Sequence, residues 1–221
     1  MTNWIPPETQ IPPCLPTDPP LDCRGADWSG LSAGDADLST ARLCRVDLRG
    51  TDLSGCRLEG ADLRLARYDK ATIWPANFDY RNSGAIGPGA RLSGMFLNSA
   101  DLSGMDLQGA TMMGSYLSGA DLSGCCLRNV RIAGADLRHA QLRGACVEEA
   151  RFSGCQLDFA DFRDASLAGA ELASAETIRG ADFSGTSGLD PMRAALLSRA
   201  IHELDCWNPL TRRTTRDSLM G

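Results

Sequence analysis

From Ala26 onward the chain restates a five-residue unit. It reads ADWSG, then ADLST, ARLCR, VDLRG, TDLSG, CRLEG, ADLRL and ARYDK. A longer run opens at Ala90 with ARLSG, MFLNS, ADLSG, MDLQG and ATMMG, and continues to AELAS at residues 170–174. That is about 9 units followed by about 17, each too small to bury an apolar face alone, so neighbours must stack to build a continuous core.

The unit itself fixes the backbone. A large apolar centre, Leu38, Leu43, Leu48, Leu53, Leu58 and Leu63 in the first run and Leu92 through Leu172 in the second, follows a small residue two positions earlier. Positions two apart on a strand share a face, so both point inward. Five is odd, and a straight strand would throw the next centre to the opposite side. The pattern survives only if the chain turns a corner in every unit, and the glycine-rich fifth position, as at Gly104, Gly109, Gly114, Gly119 and Gly124, supplies it. The product is a parallel β-solenoid with coils about 4.8 Å apart.

A-D-L-S-G and its variants resemble the A(D/N)LXX signature of the pentapeptide repeat family, over most of residues 26–186. The resemblance implies an all-β fold, a right-handed quadrilateral parallel β-helix with four units per coil. A narrow interior accounts for Ala and Cys alternating with Leu, because larger neighbours would overpack it. It also fits a composition with 6% aromatics and 23 glycines in 221 residues.

Three segments depart from the repeat. Residues 1–25 hold seven of the eleven prolines and read as an arm of extended polyproline conformation. Residues 69–89 break the register and carry Trp74, Phe78 and Tyr80, read as a loop whose aromatics pack back on the coil or project to a partner. Its W-P-x-x-F-D core resembles an interruption of cyanobacterial members of the family. Residues 187–221 read as a cap: Asp190 is the expected N-cap, Pro191 the first helical residue, and Met192, Ala195, Leu196, Arg199, Ala200 and Leu204 recur at helical spacing. A helix there covers the apolar end and unpaired edge that a solenoid leaves. The tail with Arg212, Arg213 and Arg216 resembles that of the same cyanobacterial group.

Charge and composition exclude several functions. A net charge of −6 is no nucleic-acid footprint. No run approaches the ~18 apolar residues of a membrane helix, and no basic-then-apolar leader opens the chain, so a cytoplasmic protein without membrane insertion is expected. Nine cysteines with no C-x-x-C pair, and only His139 and His202, give no zinc spacing; reduced structural thiols are expected. No phosphate loop or nucleophile–base arrangement appears, so neither an enzyme nor a cofactor is expected.

The position before each centre points outward, and residues 20 apart share a column. One face carries Arg91, Thr111, Arg131 and Arg151, and the next Phe96, Tyr116, Asp136 and Gln156. A third carries Asp101, Asp121, Gln141 and Asp161, and a fourth Asp106, Cys126, Cys146 and Ser166. The expected function is a non-enzymatic scaffold binding a protein partner through Arg91, Phe96, Tyr116 and Arg131, with Trp74 and Phe78 of the loop as further contacts. Two alternatives stand beside it. The acidic columns suit a DNA-mimicking inhibitor or protector of DNA gyrase, as in members of the family that occupy the enzyme's basic DNA saddle. The outward Cys126 and Cys146 suit a redox-responsive regulator. A homodimer through a β-helix end is a further expectation carried by the resemblance.

Overall fold

The computed structural model describes residues 21–221. The expected proline-rich arm, up to residue 20, lies outside the described residues. The chain divides into a first unit ending at Arg91 and a second running Leu92–Gly221. Each is built from coils of right-handed quadrilateral parallel β-helix, seen as single parallel pairings every five residues between positions 20 apart.

Among the described residues of the first unit the first ladder pairing is Asp22 with Arg42, four residues before Ala26. Its centres are buried, with Trp28 occupying a centre position at 0% exposure. The segment after Tyr68 keeps part of the ladder. Ile73 pairs with Asp52 and Ile86 with Arg67, so the 21- and 19-residue spacings compensate each other. Between these two pairings the chain leaves the wall as a short 3-10 turn at Tyr80–Asn82.

In the second unit the 20-residue spacing runs from Phe96↔Tyr116 to Arg151↔Glu171, and one extra residue gives Gln156↔Thr177. Leu, Ile, Val and Phe centres fill the interior, and Phe162 and Phe183 stack at 5.2 Å in the last coils. Small polar residues in the Ala position satisfy carbonyls inside the wall. Cys125 Sγ donates to the Leu102 carbonyl at 2.8 Å, Cys155 Sγ to Ile132 at 2.9 Å, and Ser115 Oγ to Met112 at 2.7 Å.

The C-terminal cap is more elaborate than one helix. It comprises α1 (Asp190–Leu197), α2 (Ile201–Leu204), a two-residue hairpin of β1 (Trp207–Asn208) and β2 (Arg213–Thr214), and α3 (Thr215–Met220). The N-cap of α1 is Leu189, without a side-chain cap, and Asp190 sits inside the first turn, where its carboxylate accepts from Arg193 at 3.0 Å. Helix α1 stops because Arg199 is needed elsewhere. Its guanidinium donates to the carbonyls of Ala175 at 3.0 Å and Glu176 at 2.7 Å on the last coil, and pairs with Glu203 at 2.9 Å. Glu203 in turn accepts from the Ile178 N–H at 2.9 Å. Asn208 Nδ2 donates to the Gly180 carbonyl at 2.8 Å, and Thr215 Oγ1 to that of Ile178 at 3.3 Å. These side chains stand where the next coil's backbone would be and give this part of the sheet edge its partners.

Candidate functional site

The conserved shape of the unit leaves one outward side chain per side, and its chemistry varies from coil to coil. Where that residue is Asp, the carboxylate mostly turns back on its own corner. Asp52 Oδ1 accepts from the Ser54 N–H at 2.9 Å, and Asp37, Asp101, Asp121 and Asp182 repeat the contact with the N–H two residues on. This is the Asx bond of a tight turn. At Asp47, Asp62, Asp136 and Asp161 the residue two on is Arg, and its guanidinium adds an ion pair of 2.5–2.7 Å. The Arg64 side chain holds the Asp62 carboxyl well below the usual carboxylate range. The outward aspartates are therefore turn devices, and the four paired with arginine are also locally neutralised.

The Phe96 column is different. Phe96 and Tyr116 pair in the ladder, with Leu97 N–H donating to the Tyr116 carbonyl at 2.7 Å and Tyr116 N–H to Met95 at 2.9 Å. Fixed at that spacing the rings stack at 4.6 Å with planes 6° apart, yet they remain 75% and 43% exposed. Met113, at the corner between Thr111 and Tyr116, is 50% exposed; the repeat pattern did not single it out because it falls outside the inward and outward positions. Arg131 is exposed and pairs in the neighbouring column with Thr111 and Arg151, and Arg151 makes an ion pair with Glu171 at 3.7 Å. Aromatic and arginine side chains are the ones that dominate interface energetics.

Arg91 ends the first unit. Its Nη1 donates to Asn82 Oδ1 at 3.4 Å, and its N–H to the Arg81 carbonyl at 2.8 Å. Trp74 and Phe78 lie in an aromatic cluster of that unit. Trp74 stacks on Tyr80 at 5.3 Å and on Phe78 at 5.7 Å, with Tyr68 edge-on at 5.6 Å. Tyr68 is buried and donates to the Pro88 carbonyl at 2.8 Å, so the segment is fastened to the wall, with Trp74 and Phe78 half-buried.

Sequence reasoning also missed the corner ladders. His139 and Phe159, both at fifth positions, stack at 5.1 Å, and Arg179 lies over the Phe159 ring at 5.7 Å. Residues 20 apart meet at corners as they do on faces, a signal present in the spacing. Cys126 and Cys146 pair in the fourth column, both half-buried. Among the described residues no cluster of His, Cys, Asp or Glu is placed to hold a metal ion, and no helix is long and apolar enough to cross a membrane.

A family profile described as pentapeptide repeats matches in eight copies, over residues 34–67, 89–124, 97–132, 115–154 and 149–187. Among solved structures the chain is similar to a pentapeptide repeat protein from the Arabidopsis thaliana thylakoid lumen, at 29% identity over 60% of this chain and 89% of that one, TM-score 0.44. It is similar to HetL, a pentapeptide repeat protein involved in heterocyst differentiation regulation in the cyanobacterium Nostoc, at 24% identity over 76% and 90%, TM-score 0.26. It is also similar to QnrB1, a plasmid-mediated fluoroquinolone resistance protein, at 16% identity over 73% and 83%, TM-score 0.35. No curated protein matches the sequence.

Proposed function

The chain belongs to the pentapeptide repeat family, and on that premise we propose that it is a non-enzymatic scaffold that binds a protein partner through the face carrying Phe96 and Tyr116. One observation carries the reading: two rings stacked at 4.6 Å and held on a hydrogen-bonded wall, yet largely open to solvent. Such a pair is already ordered, so a partner gains apolar contact without the entropic penalty of freezing two aromatic side chains. Met113, at the corner before Tyr116, is a further exposed apolar side chain, and Arg131 stands exposed in the neighbouring column.

The DNA-mimicking alternative has less support. A mimic of the duplex needs carboxylates aimed at a basic groove, whereas Asp136 and Asp161 are each engaged by the arginine two residues on. The test of the scaffold reading is affinity capture from a lysate of the source organism with wild-type protein and with the Phe96→Ala, Tyr116→Ala variant. Both rings point outward, so the variant should unfold at the wild-type temperature within about 0.5 kcal/mol of stability. The reading expects a specific protein in the wild-type eluate that drops at least tenfold with the variant. Equal recovery of every bound protein contradicts it.

A further inference from the structure

Among the described residues half of the cysteines are buried. Cys23, Cys125 and Cys155 are buried in the wall, and burial pushes their thiols up to about 12, 11 and 11. Cys126 is the neighbour of Cys125 in sequence, and the strand sends it to the other side of the wall. There it pairs in the ladder with Cys146, one coil on. The backbone around both is fixed: Cys126 N–H donates to Met105 at 3.0 Å, Leu127 N–H to the Cys146 carbonyl at 2.7 Å, and Cys146 N–H to the Cys125 carbonyl at 2.9 Å. Paired residues of neighbouring strands stand about 4.8 Å apart, inside the roughly 4.4–6.8 Å Cα window of a disulfide, and closing the bridge requires the two Cβ atoms to lean together to about 3.5–4.5 Å.

The surroundings are set up for exchange chemistry. Arg128 Nη2 lies 3.9 Å from Cys146 Sγ and donates to it. The same guanidinium is anchored by Glu148 at 2.6 Å, and Glu148 is held by Ser166 Oγ at 2.9 Å. Both residues are half-buried, not enclosed in the interior as Cys125 is.

We propose that Cys126 and Cys146 are a dithiol site that reacts with small-molecule disulfides and closes a disulfide between adjacent coils. The Cys146 thiolate attacks one sulfur of glutathione disulfide, the S–S bond breaks, and one glutathione thiolate leaves. The Cys126 thiolate then attacks Cys146 Sγ in the mixed disulfide and expels the second glutathione thiolate. In sum, two protein thiols lose two electrons and two protons, and one glutathione disulfide becomes two glutathione thiols. The second step is intramolecular between groups already held at ladder spacing, so the mixed disulfide should not accumulate.

The test treats the full chain with glutathione disulfide, blocks residual thiols by alkylation, and reads tryptic peptides by mass spectrometry. The site predicts residues 92–128 joined to 144–151 with the loss of two hydrogens, reversed by dithiothreitol. Cys125→Ala should keep this product. Cys126→Ser should abolish it and leave one glutathione on Cys146. Three results overturn the proposal: two separate glutathione adducts in the wild type, a link lost with Cys125→Ala but kept with Cys126→Ser, or no change in either peptide.

Discussion

A left-handed backbone costs a residue with a Cβ roughly 1–2 kcal/mol, yet among the described residues Glu149 holds φ +57° and His139 +60° at fifth positions that other units give to glycine. His139 recovers part of that through its stack on Phe159, whereas the exposed Glu149 carries the strain at an open corner. Glu149→Gly should therefore stabilise the protein by up to about 1 kcal/mol, and Gly124→Ala, at φ +65° with open space around it, should destabilise by about 1–2 kcal/mol. Urea unfolding of the two variants checks both signs. The outward aspartates give a second prediction. The Ser54 side chain and N–H hold the Asp52 carboxyl below its ordinary value, as Ser39 does for Asp37. A carboxyl depressed in the folded state adds stability that is complete above the unfolded value near pH 3.9 and is lost as pH falls through the lower folded value. Unfolding midpoints should be level near neutrality and fall below pH 4, and Asp52→Asn, which keeps an acceptor oxygen but does not titrate, should flatten that fall. The alternation of small residue and centre was legible because it repeats; the turn bond of the aspartate was not, because outward placement says nothing of what the carboxylate touches.

At the scale of elements, the two departures from the repeat behave differently from their sequence patterns. The segment after Tyr68 lacks the unit's spelling, yet Ile73 and Ile86 still pair with the wall, since a backbone ladder needs extended geometry and no particular side chain. The cap shows the opposite failure. Helical periodicity placed Arg199 and Leu204 on one helix, but periodicity cannot register that the carbonyls of Ala175 and Glu176 have no next coil to pair with. Their demand draws Arg199 out of the helical run and splits it into α1 and α2. Burial raises the Glu203 carboxyl, and Arg199 with the Ile178 N–H outweighs it, so the group titrates below its usual range and stays charged in the cap. Arg199→Ala leaves that carboxylate without its charge partner and two edge carbonyls without their donor, and should destabilise by roughly 2–4 kcal/mol. Arg199→Lys should recover only part, because an ammonium cannot span the same fork. Thermal and urea unfolding, with amide exchange at Ile178, separate this from a general loss: the Ile178 amide should exchange faster in the alanine variant while that of Leu127 is unchanged.

For the whole molecule, the interior and the outer faces answer to different constraints. The interior admits only small and medium apolar groups and spells the fold in every unit, while any side chain is tolerated outside, so function is read from the few outward positions that depart from the common Asp. Phe96 and Tyr116 were legible as a pair from their 20-residue separation alone; their openness to solvent was not, because it depends on what the rest of the chain leaves uncovered. The corresponding aromatics of the first unit, Trp74 and Phe78, are consumed largely by packing on one another and on Tyr68 and Tyr80. The central claim, that the Phe96 face engages a partner, is tested most directly by placing a photo-crosslinking phenylalanine analogue at position 96 or at Gln141, which points outward from a different face, and irradiating the living source organism. The account predicts a discrete crosslinked protein from position 96 and none of it from position 141. The same product from both positions, or from 141 alone, contradicts it.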